Sequence, residues 1–498
     1  MGKIRVGLIG CGRISDLHYP GYVNNKDAEI YAVCDTDEEL ARTRQKEWKV
    51  EKCYLDYRDL LADPDVDAVE ILSPQPLHEE MTIRAAESGK HIALQKPMTI
   101  DLASADRMLD SMKRTDKILR ISDNYLFYQP IVRAKQMLDQ GEIGTPINLR
   151  IKMITGGSGG WDVPASSWAW RSAEMNAGRG FQVFDHGHHL WATAWYLMGD
   201  IDRVTSWIDS LDGIVDSPAV IMWKYKDGVR YGMCEYAYAL DMPVPSKYYA
   251  NDEWIEITGS KGIIVINRCT GNICEGPAIS HFDGSKWNYI SDLESDWGQG
   301  FIGATHNFIE SIIGDALPLL SGEQAREILR ITLAITRSSR ERREVYIQEM
   351  DERFPARYTR RRIKAEKRKQ SGKSWFSFFG SGKKDEKYAS QAKALTEGLV
   401  DRFNSDLAGD WECVIGLSLL PQGSVKGTSY VLTIQQGALE IEEKEIPDSA
   451  NMVMKTPAGT WASLLLGKRA FETAYLTGKL KVEGKAELGL KLKEILKL

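Results

Sequence analysis

The chain has 498 residues and a formal net charge of −6, and its 43% hydrophobic against 27% charged residues is the balance of about two to four globular domains with sizeable cores. It has no apolar run of about 18 residues, and an apolar strand follows at once on the first residues, so neither a membrane span nor an export signal is expected, and a cytoplasmic location is. Seven cysteines, Cys11, Cys34, Cys53, Cys234, Cys269, Cys274 and Cys413, are odd in number and form no CxxC pair, the pattern of reduced thiols rather than of a disulfide framework.

In chain order, residues 4–9 form an apolar strand that runs into Gly10-Cys11-Gly12-Arg13-Ile14-Ser15. Gly10 permits a tight turn, Gly12 lets backbone N–H groups approach a pyrophosphate, and the helix that follows presents its positive end to it; Ser15 fills the third small position. A second strand over 28–34 ends at Asp35, twenty residues beyond Ser15. A carboxylate there accepts from an adenosine ribose hydroxyl and repels a 2′-phosphate, which favours NAD over NADP. An amphipathic stretch at 37–48, a strand at 68–72, a helix at 78–88 stopped by Gly89, a strand at 91–94, a helix at 100–115 and a strand at 118–121 continue the alternation. The expected fold is α/β, a doubly wound parallel sheet of about six strands whose ligand lies beyond the strands' carboxyl ends. Two loops fall at that edge, Ser73 to His78 and Gln95-Lys96-Pro97.

From residue 124 the pattern changes to a helix at 129–140, strand-like segments at 147–154, 220–224, 229–239, 254–258 and 262–266, helices at 300–313 and 321–340 and a last strand at 344–347, an α+β domain with a large antiparallel sheet. Residues 357–387 then carry twelve Lys or Arg against three acids, net +9, around Trp375-Phe376-Ser377-Phe378-Phe379. This stretch is either a solvated linker whose aromatics pack on a neighbouring domain or a contact for an anionic membrane surface, and no nucleic-acid module accompanies it. A helix at 392–407, strands at 412–419, 430–435, 439–443 and 452–455, helices at 457–466 and 469–475, a strand at 480–483 and a closing helix make a third α+β domain. The division is therefore 1–122, 123–348, a linker at 349–391, and 392–498.

Several separated motifs in the first two domains resemble the glucose-fructose oxidoreductase, inositol dehydrogenase and MocA family. They are Gly10 to Ile14, the Pro-x-x-x-His of Pro74 to His78, Gly89-Lys90-His91 leading to Gln95-Lys96-Pro97, Gly141-Glu142-Ile143-Gly144, and Gly178-Arg179-Gly180 followed by Asp185-His186-Gly187-His188-His189. Two positions depart from the family's pattern. Gln95 stands where Glu is usual and Gln75 where Asn is, which puts the proton affinity of Lys96 and the strength of catalysis in question.

The resemblance implies an NAD-dependent oxidoreductase acting on a hydroxyl or ketone of a sugar, polyol or related carbohydrate. In it Lys96 contacts the reacting oxygen, His189 is the acid/base, Asp185 orients substrate, and a cis Lys96-Pro97 bond is expected. Gly10, Gly12, Arg13, Ile14, Asp35, Ser73, His78, Lys96 and Pro97 are the cofactor residues. Asn124, Tyr125, Trp170 and Arg171 are candidates for a polyol or acidic substituent, the last two on a segment that also holds Trp161 and Trp168. Asp185, His186 and His189 share a helix face, a spacing compatible with a metal, but the family match accounts for the segment and no metal is expected. The tail, through Leu464-Leu465-Leu466-Gly467-Lys468 and Tyr475 to Gly484, resembles the sterol carrier protein domain, which implies a lipid ligand with Trp461 and Phe471 lining its cavity. Two alternatives stay open: a lipid-transfer or sensing protein whose oxidoreductase half binds cofactor without turnover, and a redox-neutral lyase or epimerase that uses tightly held NAD. A homodimer or homotetramer is expected through the open face of the second sheet.

Overall fold

The computed structural model describes residues 2–162, 165–211, 215–267, 271, 273, 276–351, 385–408, 411–468, 471, 474, 479–484, 488, 492, 495 and 496, with only the backbone at 165–169, 176 and 406. The cluster Trp375 to Phe379, the side chain of Trp168, Cys269 and Cys274, and most of the helices expected at 469–475 and at the end of the chain lie outside these residues. The chain forms two compact units, residues 1–164 with 173–354 and residues 165–172 with 355–498.

The first unit begins with six parallel strands, β1 (Ile4–Ile9), β2 (Ala28–Cys34), β3 (Lys52–Tyr54), β4 (Ala68–Ile71), β5 (His91–Gln95) and β6 (Leu119–Ser122), in the order β3-β2-β1-β4-β5-β6. Successive strands are added on one side of β1 and then, from β4, on the other, so the carboxyl ends of β1 and β4 open a crevice at the switch point. Asp37 and Asp101 start the helices Glu38–Trp48 and Leu102–Met112 by accepting from Leu40 N and Ser104 N, the N-cap role of a short carboxylate. The helix after the glycine turn is a single turn long. Ser15–His18 gives way at once to a 3₁₀ turn, Tyr19–Gly21, around Pro20, because proline supplies no N–H and crowds the preceding turn.

Nine strands form the second sheet: β7 (Pro146–Ser158), β8 (Ile201–Ile208), β9 (Ala219–Tyr225), β10 (Tyr231–Pro243), β11 (Asn251–Gly259), β12 (Ile263–Ile266), β13 (Ile279–Phe282), β14 (Trp287–Ile290) and β15 (Val345–Tyr346). Their order is β14-β13-β12-β11-β7-β10-β9-β8-β15. The sheet is mixed rather than antiparallel: β7 and β10 run parallel at its centre. Side-chain alternation has the same period in either direction, and the long connection between these two strands, which includes the helix Gly187–Met198 and then β8 and β9, is what permits a parallel pair. Helices Gly187–Met198 and Gly322–Glu341 cover one face, burying Trp191, Leu190, Ile328 and Ile335. The other face presents Trp207, Met222 and Tyr231 to solvent.

In the second unit β16 (Cys413–Leu420), β17 (Thr428–Gln435), β18 (Ala438–Glu443), β19 (Met452–Pro457) and β20 (Lys481–Gly484) make a sheet ordered β18-β17-β16-β19-β20. The long helix expected at 392–407 is broken after Ala392–Glu397, where Gly398 ends it, and short turns at Val400–Arg402 and Ser405–Ala408 follow; glycine weakens a helix interior. Trp461, on the helix Ala458–Leu465, is fully buried, donates from Nε1 to Thr396 Oγ1 at 2.9 Å, and meets Phe471 edge-on at 6.1 Å.

Candidate active site

Gly10 has φ +104°, and a Cβ there would meet the carbonyl carbon and oxygen of Leu72 at 3.0 Å, so β1 can turn beside β4 only with glycine. A Cβ on Gly12 would meet nothing within 4 Å, which leaves the turn's backbone open. The Asp35 carboxylate holds this turn from the end of β2, accepting from Cys11 N at 2.8 Å and Asp37 N at 3.0 Å. Ser15 Oγ donates to Gly12 O at 2.6 Å. An open glycine turn with a carboxylate at the tip of the neighbouring strand fits a dinucleotide, its pyrophosphate on Gly10 to Ile14 and its ribose at Asp35. Arg13 is exposed, with its guanidinium over the Trp161 ring at 4.8 Å.

The loops after β4 and β5 are pinned together by His78, which is fully buried: Nε2 lies 2.8 Å from Ser73 O and Nδ1 3.0 Å from Pro97 O. Burial holds the imidazole below its usual range, ahead of the upward pull of these carbonyls. His78 thus shapes the cofactor edge from beneath, and the Lys96–Pro97 peptide is cis. Gln75 and Lys96 converge on one carboxylate. Gln75 Nε2 donates to Asp185 Oδ1 at 2.8 Å, and Lys96 Nζ lies 3.1 Å from both Asp185 Oδ1 and Asp185 O. Gln95 turns away from the ammonium. Its Oε1 accepts from Lys96 N at 2.8 Å and its Nε2 lies 3.1 Å from His18 Nε2, while His18 Nδ1 lies 2.7 Å from the buried Glu70.

Asp185 and His186 sit on a π-helical turn, Phe181–His186, which leads directly into Gly187–Met198; such turns re-aim side chains and recur at functional sites. Asp216 starts this turn by accepting from Gln182 N and Val183 N at 2.6 and 2.9 Å, and burial pushes its carboxyl up to about 6. One turn further on, His189 places Nδ1 2.8 Å from Asp123 Oδ1, and His188 Nδ1 lies 3.1 Å from Asp123 Oδ2. Burial pushes His189 down to about 3 despite the opposing pull of Asp123, and the Lys96 cation adds to the depression. The neutral imidazole therefore donates from Nδ1 to Asp123 and keeps a lone pair on Nε2, the state a general base requires. Asp123, 1% exposed, is held well below the carboxylate range by the two imidazoles, which outweigh its burial.

Of the expected substrate residues, Tyr125 stacks on His189 with ring centroids 4.3 Å apart and donates to Glu253 Oε1 at 2.6 Å. Asn124 is buried with neither amide atom hydrogen-bonded among the described residues. Trp170 and Arg171 belong to the second unit, where the guanidinium lies over the indole at 4.8 Å. Sequence reasoning missed Asp123, Glu253 and Asn251. The one available signal was for Asp123, the first residue past β6 on the sheet edge where the site had to lie. Among the described residues no group of three or more metal-binding side chains converges.

Residues 4–122 match the model of the oxidoreductase family's NAD-binding Rossmann fold, residues 135–347 that of the family's C-terminal alpha/beta domain, and residues 399–497 the SCP-2 sterol transfer family. The chain is 29% identical to a myo-inositol 2-dehydrogenase of Thermotoga maritima over 361 residues, 70% of this chain and 99% of the relative. It is 26% identical to the NAD(+)-dependent scyllo-inositol 2-dehydrogenase of Bacillus subtilis over 68% of this chain and 94% of the relative. The crystal structure of a probable dehydrogenase from Thermotoga maritima superposes with a TM-score of 0.57 at 27% identity, covering 70% of this chain and 99% of that one. Over residues 4–347 the chain belongs to the glucose-fructose oxidoreductase, inositol dehydrogenase and MocA family of NAD-binding oxidoreductases, and it continues into a domain of the SCP-2 sterol transfer family.

Proposed function

We propose that residues 4–347 oxidise a carbinol of a sugar, polyol or related carbohydrate to the ketone, or reduce the ketone, with NAD as the redox partner. The observation that carries this reading is the meeting of Lys96 with Asp185 at 3.1 Å on the element that also delivers His189, backed by Asp123 at 2.8 Å. NAD, when bound, supplies the hydride acceptor. His189 Nε2 takes the hydroxyl proton, and Asp123 fixes the ring's tautomer and favours the imidazolium that forms. Lys96 Nζ stabilises the developing alkoxide, and Asp185 with Gln75 holds the ammonium in place. Inositol dehydrogenases among the relatives support a cyclitol or sugar as substrate.

Lys96→Ala and His189→Ala each lower kcat by about 10²–10⁴-fold, the usual contribution of a positioned proton-transfer group, while the NADH affinity of His189→Ala stays within about threefold. Rates equal to the wild type's would contradict these roles. NADH appearing in step with ketone marks net oxidation, whereas turnover without NADH marks redox-neutral use of the cofactor.

For the second unit the family match at 399–497 supports binding of a lipid or sterol-like ligand. A homodimer or homotetramer through the exposed face around Trp207, Met222 and Tyr231 completes the reading. Light scattering that returns a monomer at working concentration refutes it.

A further inference from the structure

The site holds a second imidazole–carboxylate pair that the mechanism above does not use. His186 Nε2 lies 3.2 Å from Glu253 Oε1, which also accepts from Tyr125 OH at 2.6 Å. Glu253 is fully buried on β11, and its Oε2 has no hydrogen-bond partner among the described residues. A carboxylate oxygen only accepts, so the proton between the pair sits on His186 Nε2. The Asn251 amide reaches the same nitrogen at 3.4 Å, and because its Oδ1 has no partner among the described residues the amide is assigned with that oxygen toward His186, accepting from Nε2–H. With that proton placed, a neutral His186 has its lone pair on Nδ1, and Nδ1 is buried without a partner among the described residues. The rings of His186 and His189 lie 5.5 Å apart at 71°, and Tyr125 touches both, stacked on His189 and edge-on to His186 at 6.2 Å. Buried polar atoms in a folded protein are almost always hydrogen-bonded. An unpartnered acceptor beside the catalytic imidazole is therefore a place for a ligand hydroxyl.

Resting on the dehydrogenase reading above, we infer that His186, oriented by Glu253, accepts a hydrogen bond from the substrate hydroxyl adjacent to the carbinol that His189 deprotonates, so that the enzyme selects vicinal diols. Two imidazole acceptors, each with its own carboxylate, then engage two neighbouring hydroxyls on one ring. A buried acceptor left without its hydroxyl partner is what makes such a site reject the deoxy analogue.

The test is a substrate–variant cycle on the full chain. Wild type, His186→Asn and Glu253→Gln are assayed with NAD+ on myo-inositol, scyllo-inositol and their monodeoxy analogues, and NADH titration verifies that each variant is folded. In the wild type, removal of the adjacent hydroxyl lowers kcat/KM by about 10²-fold or more. In His186→Asn the same removal costs less than about threefold, and Glu253→Gln falls between. A deoxy penalty equal in all three enzymes overturns the role of His186 and leaves the dehydrogenase standing. Absence of turnover by the wild type on these cyclitols and on a panel of aldoses and their deoxy analogues overturns the dehydrogenase reading and this inference together.

Discussion

At position 95 an amide bridges two partners that a carboxylate cannot serve together. Lys96 N–H donates to Gln95 Oε1, which fixes the amide and turns its NH₂ toward His18 Nε2 at 3.1 Å. That nitrogen must accept, so the His18 proton lies on Nδ1 and is given to Glu70 at 2.7 Å. In Gln95→Glu a carboxylate oxygen faces that lone pair and the bridge to His18 is lost, so the variant melts below the wild type by the roughly 1–3 kcal/mol that a broken buried hydrogen bond costs. An unchanged melting temperature would contradict the assigned tautomer. Lys96, Asp185 and His189 were legible only through the resemblance of their motifs to the family's. Asp123 carried one signal, its place at the sheet edge, but a carboxylate after a strand reads as a turn former; Glu253 carried none, since a carboxylate within a strand reads as solvent-facing. Only the pairing of β11 with β7 turns Glu253 inward toward Tyr125 and His186.

The π-helical turn Phe181–His186 is the element on which the site depends, and the groups around it titrate in opposite directions. His189 and His78 are held below their ordinary range by burial, so below about pH 6.5 the unfolded chain binds protons that the folded chain refuses, and stability is lost as pH falls. Asp216, pushed up to about 6 by burial, acts the other way, keeping a proton that the unfolded chain gives up. Two imidazoles outweigh one carboxyl, so the first unit melts at a lower temperature at pH 5 than at pH 7. A higher midpoint at pH 5 would show that Asp216 dominates. Five of the six parallel strands were legible because each keeps an apolar period bounded by Gly, Pro or Asp, whereas β3, three residues long, and the short helix Tyr57–Ala62 after it are too brief to show one. The parallel β7–β10 pair was not, since alternation carries no direction, and neither was the π-helical turn, whose residues read as the start of an ordinary helix.

At the scale of the whole molecule the two units have separate apolar cores, one gathered around Trp191, Ile257 and Ile328 and the other around Trp461, Leu417 and Leu432. A boundary near residues 357–387 was expected from composition, because their net +9 interrupts a chain whose total is −6. What that stretch touches was not legible, since an aromatic cluster among cations suits either a neighbouring domain or an anionic surface. If it serves a membrane, deletion of residues 357–384 abolishes co-sedimentation with phosphatidylserine vesicles, and equal binding with and without the segment refutes the membrane role. NAD-dependent oxidation by Lys96 and His189 is read from nicotinamide absorbance during incubation with cyclitols and aldoses, with NAD+ and NADP+ in parallel. At least one polyol reduces NAD+, little NADPH forms because of Asp35, and the signal is lost in Lys96→Ala. Failure to bind either nucleotide, or equal turnover in Lys96→Ala, would contradict NAD-dependent oxidation by these residues.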